Sequence, residues 1–217
     1  EDHLVAFSLF TTRLAQSRAC FLEGIEDRSH NVWIAPMTTL AQVDPLQDIP
    51  GYDSVTGGLV LGYEALLREN FGLGLAASYA YSSIRWPNEG GKSSVNKGWL
   101  GSYVGFYMPQ ISVDQDLLGG ISDYNVKRGN EFSGLDRTAR HHLGGGFFSS
   151  HLGLDLVPIG SAAWLHLFFE IDYHYLHQNA YQETGAGSLD LSVGKTDSQF
   201  LRIELGLHLL YAGGEED

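Results

Sequence analysis

The sequence predicts an all-β fold, an antiparallel barrel whose strands are long enough to cross a bilayer, on three observations. Apolar residues alternate with small or polar ones for ten or more positions at a time. These runs exceed the usual length of a soluble strand, about 5–6 residues, and match the roughly 9–11 that a tilted membrane strand needs. Tyrosine and tryptophan gather toward the ends of the runs, where a membrane barrel carries its aromatic girdles. The pattern is plainest where Val55, Leu59, Leu61, Tyr63, Ala65 and Leu67 oppose Thr56, Gly58, Gly62, Glu64 and Arg68, and again where Phe71, Leu73, Leu75, Ala77, Tyr79 and Tyr81 oppose glycines, alanines and serines. Successive strand side chains point to opposite faces, so each run defines one apolar and one polar face.

Composition narrows the function classes. The 217 residues suit one large β domain, and no window approaches the roughly 18 uninterrupted apolar residues of a membrane-spanning helix. Glycine numbers 27, well above the usual share of about 7%, and much of it lies inside the alternating runs, where it marks close approach of two surfaces. A net charge of -13 repels nucleic acid and anionic lipid headgroups, so no nucleic-acid partner is expected. Cys20 is the sole cysteine, which rules out an internal disulfide and a cysteine-rich metal site.

Along the chain, residues 3–22 place Phe7, Phe10, Leu14 and Phe21 at helical spacing with Arg13, Gln16 and Cys20 turned away, and Gly24 follows as a stop. Such a helix is about 30 Å long, comparable to the apolar thickness of a membrane. Nine strands are expected after it, over 32–42, 54–67, 71–85, 95–108, 110–125, 137–154, 161–175, 186–196 and 199–211. The connections between them alternate between tight joints, at 68–70 and 109–110, and longer loops, at 87–96 and 127–136. Pro36 removes a ladder donor from the first strand and suits an edge position. The girdle residues are Tyr63, Tyr79, Tyr81, Trp86, Tyr107, Tyr173, Tyr175 and Tyr211. Alternation by itself fits a soluble β-sandwich equally well; strand length and aromatic placement favour the barrel.

No reactive constellation emerges. His174 and His177 fall on opposite strand faces, and His166, Glu170, Asp172 and His174, though on one face, are strung out along the strand, so no metal site is expected. Ser150 and His151 are adjacent and alternate faces, a poor arrangement for proton transfer. Gly144, Gly145 and Gly146 are not followed by the Lys-Ser or Lys-Thr of a phosphate loop. No catalytic residue and no cofactor are expected.

The stretch GYDSVTGGLVLGYE (51–64) followed by FGLGLAASYAYSSI (71–84) resembles the second and third strands of the C-terminal translocator domain of autotransporters, the β-barrels of type V secretion. Trp33, Asp123-Tyr124, AYQETGAGSLDLSV (180–193) and LRIELGLHL (201–209) resemble further pieces of that family in the same order. The resemblance implies an outer-membrane barrel of about twelve strands, of which about nine are present, that exports and anchors its own N-terminal passenger. It implies a pore-spanning helix in a linker over residues 1–31, an incomplete barrel over 32–217, a monomer, and as partners the passenger, outer-membrane lipid and the barrel-assembly machinery. Glu64, Arg68, Glu170, Asp172, Arg202 and Glu204 are the polar residues expected to face the lumen and touch the helix or passenger. The nine-strand count and the Gly-Gly-Glu-Glu-Asp end lead to the expectation that C-terminal strands are missing. The Asn-Asn pair at which some family members cleave their linker does not occur near the helix, so cleavage of that kind is not expected. The alternatives are a pore or adhesin-like barrel with no passenger, and a soluble secreted sandwich.

Overall fold

Seven long strands follow one another in the computed structural model, each antiparallel to its predecessor: β1 (His30–Val43), β2 (Tyr52–Arg68), β3 (Phe71–Trp86), β4 (Gly91–Tyr107), β5 (Ile111–Phe132), β6 (Leu135–Leu156) and β7 (Leu165–Gln178). The structure describes residues 30–45, 51–68, 70–86, 90–132, 134–157 and 165–209. After β7 the chain makes an excursion containing two short strands, β8 (Tyr181–Gln182) and β9 (Ser192–Val193), which pair with each other. It then returns as β10 (Thr196–Leu209) along the free side of β7. The long strands form one eight-stranded sheet with β1 and β10 at its edges, so Pro36 does lie in an edge strand. The helix expected over 3–22 lies outside the described residues, as does Tyr211.

Two expectations about elements fail for local reasons. The strand expected over 186–196 is instead a 3-10 turn (Gly187–Leu189), the short strand β9 and the first residue of β10. Gly187 there, and Gly185 just before it, adopt positive φ, which a strand cannot use, and the Asp190 carboxylate accepts from the backbone N–H groups of Ala186 and Gly187, closing a turn. The loop expected over 127–136 is mostly ladder: β5 and β6 pair without a break from Ile111↔Leu156 to Phe132↔Leu135. Only a tight tip remains, with Gly134 at φ +85.

Alternation sorts the side chains as the sequence indicates. The outer face carries bare apolar groups: Leu59 is 41% exposed, Leu205 77%, and Leu61, Leu75, Leu100, Ile121 and Ile203 are likewise exposed. The soluble-sandwich alternative is thereby overturned, since no second sheet covers this face among the described residues. Tyr63, Tyr79 and Tyr81 stand on the outer face, where Tyr63 Oη bonds His30 and Tyr79 Oη donates to Asn96 at 2.7 Å each. Trp86 and Tyr107 depart from the girdle expectation. Trp86 is in step with the inner row of β3 and lines an inner hollow of about 500 Å³, and Tyr107 packs on the inner cluster.

That cluster joins Trp33, Val60, Ala76, Trp99, Tyr103, Leu118 and Phe147 on the inner face, so the interior contains a dry, packed layer as well as polar groups. Three of its rings, and that of Phe168 further along the inner face, sit over glycines of the neighbouring strand. Trp33 is the register partner of Gly62, Tyr103 of Gly74, Phe147 of Gly120 and Phe168 of Gly206, and in each pair a Cβ on the glycine would fall within the ring. A glycine inside a strand costs about 0.5–1 kcal/mol relative to alanine, which a cross-strand ring contact offsets.

Candidate functional site: a polar belt on the inner face

One continuous cross-strand row crosses all eight long strands: Asn31, Glu64, Gly74, Tyr103, Asp116, His151, Asp172 and Arg202 are successive register partners. Glu64, Tyr103, Asp116 and Asp172 in this row are almost fully buried. Gly74 lets the Tyr103 side chain cross β3, where its hydroxyl accepts from Trp33 Nε1 at 3.4 Å and meets Glu64. His151 stands between two carboxylates, Asp172 Oδ1 at 2.8 Å from Nδ1 and Asp114 Oδ2 at 3.3 Å from Nε2. Arg202 Nε donates to Asp172 Oδ2 at 2.7 Å, and its terminal nitrogens lie 3.5 Å from Glu170 and Glu204. The adjoining row places Glu204, Glu170, Gly153 and Asp114 in register, a largely acidic second tier.

Five of the six residues expected to face inward lie on this inner face: Glu64, Glu170, Asp172, Arg202 and Glu204. Arg68 does not join them. A bulge between Leu66 and Arg68 puts an extra residue in β2, so Arg68 pairs with Phe71 of the outer row and is exposed at the strand end. Asp114, Asp116, His151 and Tyr103 belong to the same two rows and escape the sequence reading, because their partners lie on other strands. Ser149 Oγ is 2.9 Å from His174 Nδ1, a contact that adjacency in sequence hides. Asp172, two residues before His174 on that face, is engaged by His151 and Arg202.

At the far end of the sheet the 179–195 excursion folds over the inner face. Residues 179–184 continue along β6, with Arg140 and Thr184 exchanging backbone bonds of 2.8 and 2.9 Å. Glu183 is buried and receives Arg128 Nε at 3.1 Å and Nη2 at 2.5 Å and the Leu191 N–H at 3.0 Å, while Tyr181 stacks on His141. Arg128 holds the Glu183 carboxyl below the ordinary glutamate value of about 4.5, against the opposing effect of burial. A depressed carboxyl contributes stability above that ordinary value and loses it as pH falls through the folded one. Backbone amides of 179–195 are therefore expected to lose protection against exchange, taken relative to the intrinsic exchange rate at the same pH, once pH drops below about 4.5, and Glu183→Gln should show the faster exchange already at pH 7. Unchanged exchange in both cases would rule out the Arg128–Glu183 clamp.

A family model for the autotransporter beta-domain matches residues 32–216. The chain belongs to that family. Among solved structures, it is similar to the translocator domain of the autotransporter NalP from Neisseria meningitidis, at 16% identity and a TM-score of 0.67, over 96% of this chain and 71% of that one. No curated protein matches it. The autotransporter domain is an outer-membrane translocator barrel of type V secretion, and the eight-stranded sheet is its wall. Barrels of this kind turn tightly on the periplasmic side and carry longer loops outside. The joints at 69–70 and 108–110 accordingly mark the periplasmic end, and the excursion and the β5–β6 tip the extracellular end. The eight residues of 157–164 are a longer periplasmic connection than that wiring leads one to expect.

Proposed function

We propose that the belt and its acidic second tier are the track on which the passenger's linker rests while the passenger is exported and then anchored. In this reading residues 1–31 form the pore-spanning linker and 32–217 the barrel segment. Lipid holds the outer face, the barrel-assembly machinery inserts the chain, it acts as a monomer, and no bond is made or broken. The observation that carries it is the alignment of Glu64, Asp172 and Arg202 with their partners in one inner row, beside Glu170 and Glu204. Within that linker the expected helix over residues 3–22 carries Arg13 and Arg18 and no carboxylate, so it is this stretch that complements such a wall in charge, and burial of each pair away from bulk water strengthens the attraction.

The single native thiol makes the test direct. Residue 20 precedes the periplasmic start of β1 by ten positions, and Glu170 and Glu204 lie toward that same end. In the intact protein assembled in the membrane, Glu204→Cys or Glu170→Cys is expected to form a disulfide with Cys20 on mild oxidation, which requires the two Cα atoms to come within about 7 Å. Leu205→Cys, facing outward, should form none. Absence of the bond at both inner positions, or equal bonding at Leu205→Cys, would overturn the linker placement.

A further inference from the structure

Arg85, Lys92, Lys127 and Arg140 come from four different strands and are separated by up to 55 residues, yet they are consecutive register partners: Arg85↔Lys92, Lys92↔Lys127 and Lys127↔Arg140. They make an unbroken row of cations on the outer face at the extracellular end. All four are exposed, and among the described residues none is ion-paired. Asp53 continues the row beside Arg85 without reaching ion-pair distance. On the outer face of β5, Asp123, four residues before Lys127, is already in contact with His142, and Glu131, four residues beyond it, is the register partner of Asp136 on β6. In a chain with 26 acidic and 13 basic residues, placing four cations side by side costs repulsion that an anion would relieve.

The row also borders a hollow of about 450 Å³, whose lining is completed by Gly91, Gly129 and Thr138. Its level is informative. Arg85 lies four residues beyond Tyr81 on the same face of β3, about 13 Å along the strand, and Lys127 lies six beyond the exposed Ile121. The cations therefore sit just past the apolar and tyrosine zone, at the depth of headgroups in the outer leaflet.

We propose that this row is a binding site for the phosphate groups of outer-leaflet lipid, with Lys92 and Lys127 at its centre. The inference rests on the outer-membrane placement of the barrel and is independent of what its lumen holds. Two arginines flanking two lysines suit a headgroup carrying more than one phosphate, since guanidinium groups bind phosphate oxygens in pairs and ammonium groups act as point charges.

The test is a titration of the intact protein in neutral detergent, followed by native mass spectrometry, with bisphosphorylated lipid A, phosphatidylcholine and inorganic phosphate as separate probes. Selective retention of lipid A by the unaltered protein is expected. Lys92→Gln with Lys127→Gln should weaken it about 25-fold, or about fivefold per cation removed, whereas Lys92→Arg with Lys127→Arg should retain it. Lys97→Gln removes one cation from the inner face of β4 and should leave lipid binding unchanged, short even of the loss of about fivefold expected for one cation of the row. Equal retention of lipid A and phosphatidylcholine by the unaltered protein would overturn the proposal, as would inorganic phosphate competing as well as the lipid, or a loss of about fivefold or more in Lys97→Gln. The first arm needs no variant and decides the matter even if the double substitution fails to assemble.

Discussion

Replacing Gly74 by valine is expected to destabilise the barrel by about 2–4 kcal/mol, although valine is the better strand former. The sign is set by Tyr103, whose ring occupies the space a Cβ at position 74 would fill. Displacing the ring removes its packing in the cluster with Trp33 and Trp99 and its hydroxyl's contacts with Trp33 and Glu64. Glu64, 2% exposed, would then be left buried with a partner gone, the costly half of losing a hydrogen bond. Urea unfolding in detergent would measure the loss. Tyr103→Ala alone should also destabilise, but combined with Gly74→Val it should cost less than the sum, because the clash exists only when both groups are present. Strict additivity would show that the ring and the glycine do not interact.

Asp172→Leu is expected to be comparably damaging, by about 3–5 kcal/mol. Asp172 is 3% exposed and, among the described residues, is the one carboxylate that touches both His151 and Arg202. Its removal takes the acceptor from His151 Nδ1 and Arg202 Nε at the middle of β6, β7 and β10 and leaves them only the longer contacts to Asp114, Glu170 and Glu204, and removing one partner of a buried pair costs far more than the intact pair gains. Arg202→Gln, whose side chain is 42% exposed, should cost only about 1 kcal/mol. Both are read from the same unfolding curves. Equal losses would mean that the belt is hydrated enough to screen its own charges, and the account of Asp172 as its keystone would fail.

What the sequence discloses and what it withholds divide along one physical line. Period-two alternation is a property of a single strand, so it correctly assigns Glu64, Asp172 and Arg202 to the face opposite Leu59, Ile171 and Ile203. Register is a property of two strands, and no local pattern encodes it. The belt through Asp116 and His151, the ring-on-glycine pairs and the four-cation row all depend on register and are invisible in the sequence. Net charge misleads for the same reason: -13 is a sum over the chain, while Arg85, Lys92, Lys127 and Arg140 act where pairing collects them. Arg68 departs from its expected face through one inserted residue, which reverses the face of everything after it. The stretch 186–196 reads as a strand because an apolar-polar beat continues through Gly187, whose positive φ belongs to a turn.

The unbroken pairing of β5 with β6 has a consequence for how the cell presents itself. β4 joins the ladder only from Lys92, opposite Lys127, so residues 128–132 rise about 17 Å beyond that junction at 3.4 Å each. Backbone pairing stiffens this ridge all the way to Gly134. An antibody or phage drifting toward the bacterium would meet a braced spike with a narrow glycine apex, a landmark whose position stays fixed whatever cargo hangs from the pore.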